Sequence, residues 1–249
     1  LTNGLKRIMI GFNRLGLLGR LGNQMFQYAA LRGIAAKNGH NWMMPPPAED
    51  YKKMDEWRHH QLLYPFTMDT IENLNIQYVD GERPTVSEKT FGFDEDLYNN
   101  CPKWVNIDGY FQTEKYFKEI EDAIREDFTF KSQFLRPCRS MITSFENPVS
   151  LHIRRTDYLD LAHHHNNLGL DYYEEALSHF DEDRNVVIFS DDPDWCKEQS
   201  LFDDDRFLVA EGNINYTDMC LMSLCEAHVI ANSSFSWWGA WLAKSEKVI

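Results

Sequence analysis

VSLHIRRTDY, residues 149–158, joins a short β-branched and apolar run to two adjacent arginines, with His152 before them and Asp157 after. Side chains alternate faces along a strand, so Ile153 faces a core while His152 and Arg154 share the opposite face and Arg155 leaves as the strand ends. In open α/β sheets, ligands collect at the carboxyl ends of strands, where successive loops diverge. An arginine held there offers a planar fork of donors suited to phosphate oxygens. Asp157 can fix that guanidinium or accept from a sugar hydroxyl. Paired arginines at a strand end also occur as ordinary surface ion-pair clusters, so the surrounding sequence has to decide.

At 249 residues the chain has room for one large domain or two smaller ones, each able to bury a core. Its formal charge of −14 excludes non-specific nucleic-acid binding, which needs a basic surface to displace counterions. A phosphate-bearing ligand must therefore be met by a local positive pocket in an acidic field. Cys101, Cys138, Cys196, Cys220 and Cys225 are odd in number and lack metal-site spacing, which points to reduced thiols in a cytoplasmic protein. No secretory leader pattern and no run of about 18 apolar residues is present, so no transmembrane segment is expected, and membrane contact would be peripheral. Lys247, Val248 and Ile249 read as the start of a strand, with the natural protein expected to continue beyond them.

Upstream, residues 7–12 (RIMIGF) suit a buried strand and lead into a glycine-punctuated segment, 16–22, and a helical pattern over 23–37. Strand, glycine turn, helix is a Rossmann-like opening. Its turn, which includes Gly22 and Asn23, either lets helix-start amides approach an anion or is a plain tight turn capped by Asn23. Residues 45–61 are too irregular to assign. A strand is expected over 105–109, an amphipathic helix over 113–127 with Tyr116, Phe117, Ile120 and Ile124 on one face, and another helix over 135–145. The domain boundary is placed at 147/148.

From Val149 the alternation is cleaner: strands around Leu151 and over 185–190, 207–209 and 228–231 alternate with helices over 170–180, near Trp195 and over 217–226, and with a turn and helix over 233–244. This calls for a parallel sheet covered on both faces, a second Rossmann-like unit. Three of its turns carry polar residues at one end of the sheet: 154–157, 190–192 with Asp191, and 232–236 with Ser234, Phe235 and Ser236. The last offers hydroxyls and helix-start amides for a second phosphate contact, or simply caps a helix. Asp218 opens the preceding helix, either as a cap or as an acceptor for the two N–H donors of guanine's Watson–Crick edge. His163, His164 and His165 are consecutive and cannot easily converge on one ion, so they read as loop.

Five blocks carry a family likeness: GRLGNQMFQYA (19–29), GYFQTEKYF (109–117), HIRRTDY (152–158), FSDDPDWC (189–196) and NSSFSWWGAWL (232–242). They run in one order across nearly the whole chain, which resembles the bacterial-type α-1,2-fucosyltransferases of glycosyltransferase family 11. The arginine block is shared with α-1,6-fucosyltransferases; the tryptophan-rich one is more restrictive.

The resemblance implies a GT-B fold, α/β with two Rossmann-like domains facing across a cleft: 1–147 on the acceptor side and 148–249 holding the nucleotide sugar. The implied reaction is inverting and metal-independent, with no cofactor, moving L-fucose from GDP-β-L-fucose to the 2-hydroxyl of a terminal galactose on an oligosaccharide or lipid-linked glycan. By position, Arg154 would bind the diphosphate, supported by Arg155 and Asp157. His152 and Asp218 would contact guanine, Ser234 and Ser236 would reach phosphates or fucose, and Asn23 would approach the reacting end.

Asp157 qualifies as a general base only if no arginine already holds it, and His152 only outside the nucleotide pocket. Residues 41–90 match little of the family pattern, and acceptor choice resides in such loops. Trp237, Trp238 and Trp241 can stack on a sugar but on a helix more often fill a core. The rival readings are a transferase using another GDP-sugar, a non-catalytic carbohydrate-binding module and a structural scaffold.

Overall fold

In a computed structural model, which describes residues 9–45, 60–68, 83–160, 166–245 and 247–249, the chain divides into two compact units, Leu1–Thr129 and Phe130–Ile249. The apolar run before the glycines becomes β1 (Met9–Gly11), and the segment after them becomes α1 (Leu21–Asn38). Asn23 lies within the first turn of α1 instead of capping it, because the helix already starts at Leu21. β2 (Asn41–Met43), β3 (Thr85–Ser87) and β4 (Val105–Asp108) complete an all-parallel sheet in the order β2-β1-β4-β3, with α2 (Glu95–Asn100) between β3 and β4.

α1 is buried along most of its length, Met25, Tyr28, Ala29 and Ile34 included. Two of its polar residues share one buried partner, as burial requires. The Tyr28 hydroxyl donates to Asp127 Oδ2 at 2.8 Å, Arg32 pairs with the same fully buried carboxylate, and the Arg32 guanidinium lies 5.6 Å from the centre of the Trp42 ring.

The single helix expected over 113–127 is instead two 3-10 turns, Glu114–Tyr116 and Lys118–Ile120, followed by α3 (Glu121–Asp127). The adjacent Tyr116 and Phe117 are both buried, and the carbonyl of Tyr116 presses so closely on Gly33 that a Cβ there would sit 1.8 Å from its oxygen. The tighter winding accommodates that approach, and only glycine fits opposite it.

In the second unit, α4 (Ser132–Ile142) precedes β5 (Val149–Ile153), and α5 (Thr156–Asp160) and α6 (Leu170–Leu177) follow. Next come β6 (Val186–Ser190), α7 (Pro193–Lys197), β7 (Phe207–Val209), α8 (Asn215–Met222), β8 (Ala227–Val229), α9 (Ser234–Ala243) and β9 (Lys247–Val248). The units divide earlier than the 147/148 boundary expected from sequence because α4 packs on α8: the Phe134 and Tyr216 rings lie 5.0 Å apart and the Cys138 thiol reaches the Thr217 carbonyl at 3.9 Å. All five cysteines are free and buried.

All pairings in the second sheet are parallel and the strand order is β7-β6-β5-β8-β9, with Leu151 opposite Ile188 and Val229. One face of the sheet (Val149, Leu151, Ile153, Val186, Ile188, Ala227, Val229) packs on Tyr173, Ala176, Leu177 and Cys196. The alternate residues Ser150, His152, Val187, Phe189 and His228 are buried as well, the signature of a parallel sheet covered on both sides. Among the described residues, no helix is long and apolar enough to cross a membrane.

His228 lies within this sheet, its Nδ1 2.6 Å from the Ser150 hydroxyl, and its Nε2 is buried without a hydrogen-bond partner among the described residues. Burial lowers its pKa to about 4, and His152 is lowered to about 4 by burial and by the charge of Arg154. The unfolded chain takes up protons on these rings near pH 6.5, whereas the folded chain does so only near 4. Stability therefore falls as pH drops through that interval. His228→Gln is expected to remove about one proton from the pH dependence of unfolding free energy between pH 6.5 and 4. Urea melts followed by circular dichroism measure it; a wild-type slope in the variant would show that the ring is not held neutral.

Candidate active site

The chain enters the second sheet at β5, moves outward through β6 and β7, and returns to β8 on the other side of β5. Connections leaving β5 and β8 thus run in opposite directions and open a crevice between their carboxyl ends, the switch point where ligands bind in such sheets. Arg154 and Arg155 emerge there, directly after Ile153.

Three aspartates fix the two cations. Arg154 donates through Nη2 to Asp157 Oδ2 at 2.6 Å, and its Nη1 lies 3.2 Å from Asp191 Oδ2. Asp191, at the end of β6, also accepts from the Arg155 amide at 2.9 Å and the Thr156 hydroxyl at 2.5 Å, so one carboxylate ties the β6 end to three consecutive residues of the arginine loop. Burial opposes its charge, but these two hydrogen bonds and the neighbouring Arg154 outweigh burial and hold the Asp191 carboxyl below its ordinary pKa. Arg155 pairs with Asp192 at 3.3 Å and stacks on Trp195, its guanidinium carbon 3.7 Å from the ring centre. Asp192 in turn caps α7 by accepting from the Trp195 amide, with Pro193 opening the helix as the sequence predicts.

The β8 side closes against this loop. The Tyr158 hydroxyl donates to the Asn232 carbonyl at 3.1 Å, the Asn232 amide group donates to the Asn166 carbonyl at 2.8 Å, and Arg154 lies 5.5 Å from the Tyr158 ring centre. Ser233 caps α9 by accepting from the Phe235 amide. Ser234 and Phe235 are half-buried in its first turn, whereas Ser236 is fully buried and its hydroxyl is directed to the Ala231 and Ser233 carbonyls at 3.4 and 3.3 Å. Ser236 therefore pins the helix start to the end of β8. His152 is buried with its ring 5.5 Å from that of Phe235, and its Nδ1 has no hydrogen-bond partner among the described residues. A neutral imidazole in that place can exchange one hydrogen bond with a ligand.

Asp218 stands in the first turn of α8, past the carboxyl end of β7 and hence on the same rim; Ile214, not Asp218, is the N-cap. Its Oδ1 accepts from Asn213 at 2.9 Å, but burial outweighs that bond and raises the carboxyl to about 6. Asp157 is bound to Arg154, which removes it as a general base.

The first unit also gathers polar residues at its carboxyl rim. The Asn23 side-chain oxygen accepts from the Gln112 side-chain amide at 2.7 Å, which joins the first turn of α1 to the loop after β4. Buried Gln27 donates to the Leu18 and Gly109 carbonyls at 2.9 and 3.3 Å, and Gln24 accepts from the Gln61 amide at 2.8 Å. Gly22 is buried in the first turn of α1. Among the described residues no three His, Cys, Asp or Glu side chains gather as metal ligands, and His163, His164 and His165 lie outside the described residues.

Residues 3–249 match the sequence model described as Glycosyl transferase family 11. The chain belongs to that family. It is 34% identical over 259 residues to an α-1,2-colitosyltransferase of Escherichia coli, covering 91% of this chain and 86% of that protein. It is 30% identical to the O-antigen biosynthesis glycosyltransferase WbnK of Escherichia coli, covering 94% and 91%, and 25% identical to galactoside α-(1,2)-fucosyltransferase 1 of Bos taurus, covering 92% and 66%. In fold it is similar to POFUT1 in complex with GDP-fucose (TM-score 0.59, 12% identity, 98% of this chain and 96% of that one). Fucosyltransferase NodZ from Bradyrhizobium is a second neighbour (TM-score 0.58, 11% identity, 94% and 92%).

Within this family 11 chain, the three turns singled out from sequence do converge, joined by the Arg154–Asp191 and Tyr158–Asn232 contacts. Thr156 lies in the 154–157 turn, whereas Trp195 and Tyr158 stand outside the three polar turns and join the site only in the fold. Both stand inside the quoted blocks, where an aromatic close to a charged strand end is the available signal. At pH 7 the buried carboxylate of Asp218 destabilises the folded chain, because the unfolded form ionises near the ordinary value and the folded form only near 6. Asp218→Asn is expected to raise the melting temperature at pH 7, with the gain shrinking as pH falls below 6 and gone below about 4. Calorimetric scans across that range test it, and a gain independent of pH would refute the assignment.

Proposed function

We propose that the chain is an inverting, metal-independent α-1,2-fucosyltransferase that moves L-fucose from GDP-β-L-fucose to the 2-hydroxyl of a terminal galactose. In this reading the two units form a GT-B pair facing across a cleft, with the first on the acceptor side and the second holding the donor, in a cytoplasmic protein with at most peripheral membrane contact. The observation that carries it is Arg154, held at the β5/β8 switch point by Asp157 and Asp191. Family membership and α-1,2-fucosyltransferases among the relatives support it.

As the bond from fucose to phosphate breaks, negative charge grows on GDP. A guanidinium already fixed by two carboxylates stabilises that charge with little reorganisation. Arg155 adds a second cation, oriented by Asp192 and Trp195. Above pH 6 the Asp218 carboxylate accepts from the guanine edge, His152 contributes a neutral ring nitrogen, and the α9 start, through Ser234 and Phe235, offers amides to phosphate. Asn23, at the rim of the first unit, addresses the reacting end.

A second reading, transfer of a different deoxyhexose from GDP, is favoured by the 34% identity to an α-1,2-colitosyltransferase. Turnover of GDP-fucose against GDP-mannose, UDP-galactose and a GDP donor carrying colitose, with linkage analysis of the product, separates the two. Arg154→Ala is expected to lower turnover roughly 10²- to 10³-fold, the scale of losing one fixed donor to transition-state charge. Near-wild-type release of GDP by that variant would remove Arg154 from the site.

A further inference from the structure

Phe91 is 84% exposed, far more than any other large apolar side chain among the described residues. It follows β3, so it stands on the same rim of the first sheet as the loops after β1 and β4. Its ring lies parallel to that of Tyr110, with centroids 6.4 Å apart and planes at 27°. Tyr110 belongs to the 109–112 loop, whose Gln112 meets Asn23.

That loop is held in a costly shape. Phe111 has φ +53°, a left-handed conformation unfavourable for a bulky residue, while its ring is fully buried against Phe12 and Tyr116. One carboxylate sustains it. Glu88 Oε2 accepts from the Tyr110 and Phe111 amides at 3.1 and 2.9 Å, and Oε1 accepts from the Tyr116 hydroxyl at 3.0 Å. The Tyr116 oxygen accepts in turn from the Asp94 amide at 2.8 Å, closing the loop that carries Phe91 onto the same anchor.

Two near-parallel aromatic rings on this rim match one ligand chemistry well. A pyranose presents an apolar C–H face edged by hydroxyls, and an exposed aromatic face covers the former while leaving the latter to water. A lipid or protein surface would call for a continuous apolar patch of several hundred Å². Phe91 instead has Lys89, Thr90 and Gly92 as its exposed chain neighbours.

We propose that the Phe91 and Tyr110 rings, carried on loops anchored through Glu88, form the subsite that takes the apolar face of the acceptor's terminal sugar. This rests on the reading of the chain as a galactoside-modifying transferase, and it joins Tyr110 of the 109–117 block to Phe91, just past the 41–90 stretch that matches little of the family pattern. Phe91 makes almost no buried contact, so Phe91→Ala leaves the fold intact, as far-UV circular dichroism would verify.

Saturation-transfer NMR with galactose-terminated disaccharides, lactose included, tests the subsite without any donor. Wild type is expected to saturate the ring C–H protons of galactose, Phe91→Ala to weaken binding roughly tenfold, and Phe91→Trp to restore it. In turnover assays Phe91→Ala is expected to act on the acceptor KM more than on kcat. Equal binding by wild type and Phe91→Ala, or binding of none of the disaccharides by wild type, would overturn the subsite. Failure of the activity reading shows separately: wild type would bind the disaccharides, with the Phe91 dependence intact, yet release no GDP from GDP-fucose in their presence.

Discussion

The Asp191 carboxylate is the constraint on which the arginine corner of the second unit depends. A strand ending in two arginines would splay them apart by mutual repulsion, and in a chain of net charge −14 they would be drawn to whichever surface acid lay nearest. Asp191 prevents both outcomes because it arrives on the neighbouring parallel strand at the same level and holds backbone, hydroxyl and guanidinium at once. Being half-buried, it interacts more strongly than an exposed pair would, and its hydrogen bonds keep it ionised. The result is a corner of fixed guanidinium donors whose shape exists before any ligand enters.

Each unit solves the same problem with different side chains. In the second, aspartates at strand ends fix arginines, which suits an anion. In the first, Glu88 and the buried glutamines of α1 fix backbone loops, leaving amides and aromatic faces at the rim, which suits a neutral hydroxylated ligand. Parallel strand order supplies the rim in both cases, and polar residues at strand ends decide what each rim can read.

The second unit was largely legible in the sequence because its five-residue strands, β5 and β6, are short runs rich in β-branched and apolar residues separated by helical patterns, leaving one parallel arrangement. Asp191 was picked out with its turn, and the short helix opened by Asp192 and Pro193 forms as expected. The first unit was less legible. β2 and β3 are three-residue strands with exposed positions and carry too little periodicity to be distinguished from loop. The broken helix before α3 depends on Gly33 lying opposite Tyr116, a contact distant in sequence and invisible to local pattern. Glu88 escaped for the same reason, since a lone exposed-looking glutamate acquires its role only from amides more than twenty residues away. The unit boundary shifted because α4 is held by a helix much later in the chain, a tertiary fact with no local signal.

Direct calorimetric titration of GDP, without acceptor or sugar, addresses the central claim with the fewest assumptions. The wild-type chain is predicted to bind one GDP, and Asp191→Asn, which keeps the shape of the side chain but not its charge, is predicted to bind it at least about tenfold more weakly as the arginines lose their fixed orientation. Absence of GDP binding by the wild type, or equal affinity in both proteins, would contradict the account.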